Sequence, residues 1–290
     1  MSMKLDCYHI DLNQCIGEDF SQYEFDENGI PLTRYHRQPN LKHNPVTVCQ
    51  YGLFLYNRWL RSHEQKSKKL FLSQATWLVQ NAEPGSNGAL VWYYRFDLPY
   101  YQIKSPWISG MAQGEALSLL LRAHQITADD NFFTTAEKAW PVFENDVQNG
   151  GVISTYPDGQ PVIEEYPSLH HKSCVLNGFI FGLLGVYDYF IYADHSAARE
   201  LFYRLISSLK NNLFRYDSGY WTYYDLKYPL RLASKTYHLI HLEQLKTLHK
   251  LTGESFFEDC YQQWQAYHKS IKCNLKWMLR KFHQKLILRI

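Results

Sequence analysis

The chain has 290 residues, of which 46% are apolar and 20% charged, enough for a sizeable core and not the composition of a disordered chain. No uninterrupted apolar run reaches the ~20 residues of a membrane span, and Met1 to His9 lack the basic stretch and apolar core of a secretory signal. The formal net charge is only +2, which argues against a nucleic-acid-binding protein.

Residues 1–45 read as a polar N-terminal arm with one or two short strands and a turn at Asp26-Glu27-Asn28-Gly29-Ile30-Pro31. From about residue 46 the pattern becomes helical. Periodicity predicts helices over roughly 46–62, 68–81, 110–126, 130–146, 173–191, 196–213, 236–252 and 255–270. Asp129-Asp130 marks the start of the fourth, and Thr252-Gly253-Glu254-Ser255 separates the last two.

Three connectors are long and rich in glycine and aromatics. They run from Gly85 to Tyr94, from Gly150 to Gly159 and from Gly219 to Tyr224. The repeating unit is helix, helix, glycine turn, short aromatic strand. Eight helices in such units predict an α/α toroid of helical hairpins, with the long aromatic loops and their β-hairpins gathered at one end to line a cleft. A plain multi-helix domain with three β-hairpins fits the same pattern. The expected organisation is an arm at 1–45, a mainly α domain at 46–268 and a basic helix at 269–290.

Aromatics make up 16% of the chain, with 23 Tyr and 8 Trp. Sugar clefts use such rings, because a flat face covers the sugar while the hydroxyl or indole N–H bonds its edge. A Tyr-filled core explains the same count. Six cysteines lie far apart without Cys-x-x-Cys, so no zinc site or dense disulfide framework is expected. A reducing, cytoplasmic setting is the simplest reading.

Three clusters could carry chemistry. Glu164-Glu165-Tyr166-Pro167 places two carboxylates on a stiff turn, although a solvated acidic turn would look the same. In Trp221 to Lys227, a strand would put Tyr224 and Leu226 on one face and Tyr223, Asp225 and Lys227 on the other. In Tyr237-His238-Leu239-Ile240-His241, Tyr237 and His241 share a helix face. His238 and His241 lack a third ligand, so no metal is expected. His170-His171 reads as a solvated turn. There is no phosphate-binding glycine loop after a strand and no Gly-x-Ser-x-Gly.

Several words occur in one order: Ser109-Gly110-Met111-Ala112-Gln113-Gly114, Glu164-Glu165-Tyr166-Pro167, Val175-Leu176-Asn177-Gly178-Phe179, Tyr224-Asp225-Leu226-Lys227 and Tyr237-His238. Over about residues 70–270 the chain thereby resembles the C-terminal catalytic domain of the D-glucuronyl C5-epimerases. That resemblance implies an incomplete α/α barrel and an isomerase without a cofactor. It implies inversion of C5 of D-glucuronate to L-iduronate in a heparosan or heparan-sulfate type glycosaminoglycan. The family's catalytic tyrosines fall on Tyr166, Tyr224 and Tyr237, its acidic neighbour on Glu165, and its asparagine on Asn177. The family's Tyr-Asp-Leu-Arg reads Tyr224-Asp225-Leu226-Lys227 here, and Lys lacks the planar fork of Arg. Gln113 is expected among the substrate-binding residues.

Removing the C5 proton builds charge on the uronate carboxylate. Arg95, Lys227, Arg231 and His238 are candidates to offset it. A polysaccharide lyase shares this first step, and a non-catalytic acidic-polysaccharide-binding protein would share the cleft. The tail is distinct: Lys269 to Ile290 hold seven Lys/Arg and no Asp or Glu, leaving the rest of the chain at −5. Ile271, Leu275, Met278, Leu279, Phe282 and Leu286 fall at helical spacing. This predicts an amphipathic helix for an anionic membrane surface or a glycosyltransferase, or a helix packed on the domain. The expected location is cytoplasmic or peripheral to a membrane, and a homodimer is a further expected partner.

Overall fold

A computed structural model describes residues 4–35, 40–86 and 88–288, without the side chains of 285–288. Asn87 of the first connector, Leu286 of the tail stripe and residues 289–290 of the basic tail lie outside the described parts. The helices are α1 (Leu12–Ile16), α2 (Pro45–Ser62), α3 (Gln65–Asn81), α4 (Gly110–Thr127), α5 (Asp130–Ala139), α6 (Leu176–Ala193), α7 (Ser196–Asn212), α8 (Lys235–Thr252), α9 (Ser255–Lys269) and α10 (Ile271–Leu288). The strands are short. A three-stranded antiparallel sheet joins β1 (Glu24–Phe25), β2 (Pro31–Thr33) and β3 (Lys42–His43). Three hairpins pair β4 (Glu83–Pro84) with β5 (Leu90–Val91), β6 (Ile153–Thr155) with β7 (Pro161–Ile163), and β8 (Tyr223–Asp225) with β9 (Arg231–Leu232).

The helices form two layers. Each of α2, α4, α6 and α8 packs on its successor as a helical hairpin, and the four also pack side by side as an inner layer. The sequence sorts the layers. Gly110 to Ala123 of α4 are all buried, as is nearly every residue from Leu176 to Phe190 of α6. By contrast, α3, α5 and α7 bury one stripe only. This is the expected incomplete α/α barrel.

By length and hydropathy α6 could span a membrane, contrary to the sequence expectation, but most of it is buried by its neighbours. It crosses α4 backbone to backbone. A Cβ on Gly185 would lie 2.1 Å from the Gly114 carbonyl oxygen, and one on Gly114 would lie 2.6 Å from the Gly182 Cα. Glycine is required at this crossing.

Pro141 ends α5 earlier than expected. The helix stops at Ala139, and a 3₁₀ turn covers Trp140–Phe143.

The N-terminal segment holds three strands instead of one or two, and it also reaches the core. Leu5, Tyr8, Ile10 and Leu12 are buried in the main apolar cluster. Residues 5–11 run across the C-terminal halves of all four inner helices. Leu5 exchanges bonds with Gln125, Tyr8 with Asn57, and His9 meets Asp188 at 2.7 Å and Thr247 at 3.4 Å. Arg122, fully buried, pairs with Asp188 at 2.5 Å and donates to the Asp6 carbonyl. The segment then climbs between α8 and α2. The Cys15 thiol bonds the Leu239 carbonyl, and Phe20 packs on Tyr51 and Phe54.

Candidate active site

The three hairpins all lie at the N-terminal ends of the inner helices. At the same end the N-terminal segment (Leu12, Phe20, Tyr35) and the loops carrying Tyr94, Trp107 and Tyr166 frame a cleft of about 390 Å³. Its floor is built from helix starts. Asn44, Val46 and Thr47 come from α2, Ser109 and Met111 from α4, Asn177 from α6, and Thr236 and Tyr237 from α8. Asn44, Ser109 and Ser234 cap their helices through side-chain oxygens. No side chain caps α6, so its first-turn amides remain available to an anion. Among the described residues no lysine or arginine lines this cleft, Glu18 and Glu165 do, and the four helix N-termini are its groups that favour an anion.

Glu164 and Glu165 do not form a solvated turn, because both are buried. They divide the work. Glu164 accepts bonds from the Ser154 and Ser173 hydroxyls and from the backbone N–H of Ser173 and Cys174. It fixes the loop that carries its neighbour. Glu165 faces the cleft, with Oε2 lacking a hydrogen-bond partner. Burial pushes its carboxyl up to about 7, although the Tyr166 hydroxyl draws it back down. A carboxyl with that value exchanges its proton near neutral pH.

Tyr166 stacks on Tyr101, with ring centroids 4.3 Å apart, and Trp107 stacks on Tyr94 at 4.2 Å. Tyr224 and Tyr237 come from β8 and α8, and their rings lie 4.7 Å apart. Burial holds all three expected catalytic tyrosines above their ordinary value, and the Glu165 charge pushes them further up. The structure therefore brings Glu165, Tyr166, Tyr224, Tyr237 and Asn177 together. The buried Asn177 Oδ1 also lacks a protein partner.

The expected cationic residues fare differently. Arg95 is exposed and bound to Glu83 at 2.5 Å, so it is not in the cleft. Gln113 is buried and pins the first hairpin: it accepts from the Trp92 N–H and donates to the Leu90 carbonyl. His238 is buried behind the site, stacked on Trp221, and bonded to Thr222 and to the Trp264 carbonyl. Burial lowers its pKa to about 4, so it is a neutral framework residue and not a cation for the substrate. The neighbouring His241 is neutral by the same cause.

Lys227 lies over the Tyr100 ring at 4.3 Å and is not among the residues lining the cleft. Arg231 also covers Tyr100, at 4.1 Å, and is already paired with the buried Asp225. No group of three His, Cys, Asp or Glu suited to a metal occurs among the described residues.

Two site residues escaped the sequence reading. The Tyr101 hydroxyl donates to Asp225 at 2.8 Å and accepts from Arg231 at 2.6 Å. It ties the loop that precedes α4 to the β8–β9 hairpin and backs Tyr166. Trp107 lines the cleft and also a neighbouring hollow of about 580 Å³ between the first two connectors. Aromatic richness was the only sequence signal for either.

Residues 86–266 match the family described as D-glucuronyl C5-epimerase C-terminus. The chain is 29% identical over 248 residues to the D-glucuronyl C5-epimerase of Caenorhabditis elegans, covering 79% of this chain and 40% of that protein. It is 30% identical over 241 residues to an uncharacterized protein of Methanocaldococcus jannaschii, covering 80% of this chain and 77% of the other. The chain thus spans less than half of the nematode relative.

Among solved structures, the unsaturated glucuronyl hydrolase of Bacillus sp. GL1 superposes with a TM-score of 0.54 at 16% identity. That covers 77% of this chain and 61% of the other. A family 76 mannosidase from Bacteroides thetaiotaomicron gives 0.51 at 10% identity, covering 80% and 60%. Both share the fold.

Proposed function

The chain belongs to the D-glucuronyl C5-epimerase family through its C-terminal domain, and from that premise we propose that it inverts C5 of D-glucuronate residues in a heparosan-type polysaccharide. The observation that carries this is the Glu165 carboxyl. It is buried at the cleft, poised near pH 7, and surrounded by Tyr166, Tyr224 and Tyr237.

Inversion at C5 breaks one C–H bond and remakes it from the opposite face. Two proton-carrying groups must flank the ring. Glu165 and Tyr166 supply one side, from the loop after β7. Tyr224 and Tyr237 supply the other. The reaction runs both ways, so each pair alternates between acid and base.

The carbanion spreads into the uronate carboxylate as an enediolate. The uncapped start of α6, the other helix N-termini and the Asn177 amide stabilise that charge, the task first expected of Arg95 and His238. A uronate beside Glu165 adds a like charge and favours the protonated carboxyl. In one direction ionised Glu165 takes the C5 proton while the hydroxyl of Tyr224 or Tyr237 delivers one from the opposite face, leaving protonated Glu165 and a tyrosinate. Loss of the Glu165 charge favours that tyrosinate, although burial opposes it, and the reverse direction starts from this pair. The exchange is redox-neutral and needs no electron sink. Trp107 and the hollow beyond it offer a place for flanking sugars.

The test is incubation with heparosan in deuterated water, followed by NMR. Deuterium at C5 with iduronate signals is the expected result. Unsaturated uronate would instead mark a lyase, and affinity without exchange a binding protein.

A further inference from the structure

We propose that the outer face of α10 docks on an anionic lipid bilayer. The helix has two distinct apolar faces. One holds it to the body: the Trp277 Nε1 donates to the Ala233 carbonyl and the Gln284 Nε2 to the Leu230 carbonyl, both at 2.9 Å. Those bonds fix which side looks outward. The outward side carries Ile271, Leu275, Met278, Leu279 and Phe282, each between 48% and 79% exposed. Their spacing makes one continuous stripe along three turns.

Charge decides what covers this stripe. Lys272 and Lys276 are exposed along one flank of it, Arg280 is exposed further round the helix, and no Asp or Glu occurs from Lys269 to Ile290. A second copy would bring the same cations face to face. An anionic bilayer supplies the opposite charge and an apolar layer at the depth such a helix reaches.

The test is sedimentation of the full chain with vesicles of phosphatidylcholine, alone or with roughly a third phosphatidylserine. Binding to the anionic vesicles only, weakening with salt, is expected. Each basic residue near such a surface contributes about five-fold. Lys272→Glu/Lys276→Glu/Arg280→Glu should therefore weaken binding on the order of 100-fold. Leu275→Ser/Leu279→Ser/Phe282→Ser, folded by circular dichroism, should stay in solution. The proposal is overturned if the wild type ignores anionic vesicles or binds neutral ones equally. It is also overturned if both variants bind like the wild type. A wild-type dimer that the serine variant converts to a monomer would assign the stripe to a second copy instead.

Discussion

Gly178 sits directly beneath Glu165: a Cβ at position 178 would lie 2.3 Å from Glu165 Oε2 and 2.5 Å from its Cβ. The glycine of the Leu-Asn-Gly word is therefore a seat for the carboxyl. Its helical backbone does not require glycine, since its φ is not positive. Gly178→Ala should displace Glu165 while the helix survives. The expected result is a loss of C5 exchange of at least 100-fold, in line with removing a proton-transfer group, and a Tm within a few degrees of wild type.

The tyrosines are tested one at a time. Tyr166→Phe, Tyr224→Phe and Tyr237→Phe each keep the ring and remove the proton. Solvent-to-C5 exchange should fall by about 100- to 10,000-fold where the hydroxyl carries it. Full exchange in all three variants would remove the tyrosines from the mechanism.

Glu165 also leaves a mark on stability. Its folded pKa of about 7 lies above the ordinary carboxyl value. The folded state therefore binds the extra proton between about pH 4.5 and 7. Its stability contribution is fully present below that window and is lost as pH rises through 7, on the order of 3 kcal/mol. Glu165→Gln should flatten this part of the unfolding free energy measured against pH. An unchanged slope would place the titration elsewhere.

The Arg122–Asp188 pair predicts a purely structural effect. Both side chains are fully buried, and Arg122 and His9 hold the Asp188 carboxyl well below its usual range. Asp188→Asn leaves the Arg122 charge uncompensated and should cost about 3–5 kcal/mol, read as a lower denaturation midpoint in urea. The contribution belongs to the ionised form, so it persists at neutral pH and fades as pH falls below about 4.

Tyr101 links the loop before α4 to the β8–β9 hairpin. Tyr101→Phe removes its bonds to Asp225 and Arg231 but keeps the stack on Tyr166. The expected outcome is a moderate fall in kcat with a shifted pH profile, because the Asp225–Arg231 pair that influences Glu165 loses a partner. A change in Tm alone would leave Tyr101 as a structural brace.

Much of this architecture was legible in periodicity. The helical hairpins follow from apolar stripes and glycine turns, and the predicted spans match to within a few residues except at Pro141. The tyrosine and Glu165 positions came from the family words, which sequence spacing alone could not have assigned. Arg95 was misplaced for a physical reason. It already meets Glu83 in the fold, and a pairing set by tertiary contact leaves no local pattern. His238 sits on the same helix as Tyr237, one residue along, which turns it from the cleft toward Trp221. The helix starts that favour an anion are backbone groups and carry no residue signature.

The strap at residues 5–11 makes the barrel blind-ended. It lies across the far ends of α2, α4, α6 and α8, and the following residues seal the seam between α8 and α2. A linear polymer cannot thread through such a vessel. On the proposed function the polymer lies across the opposite mouth, with both arms leaving on the side of the three hairpins. An interior sugar can then dip toward Glu165 without any chain end being found first, and the hollow past Trp107 is where one arm would rest.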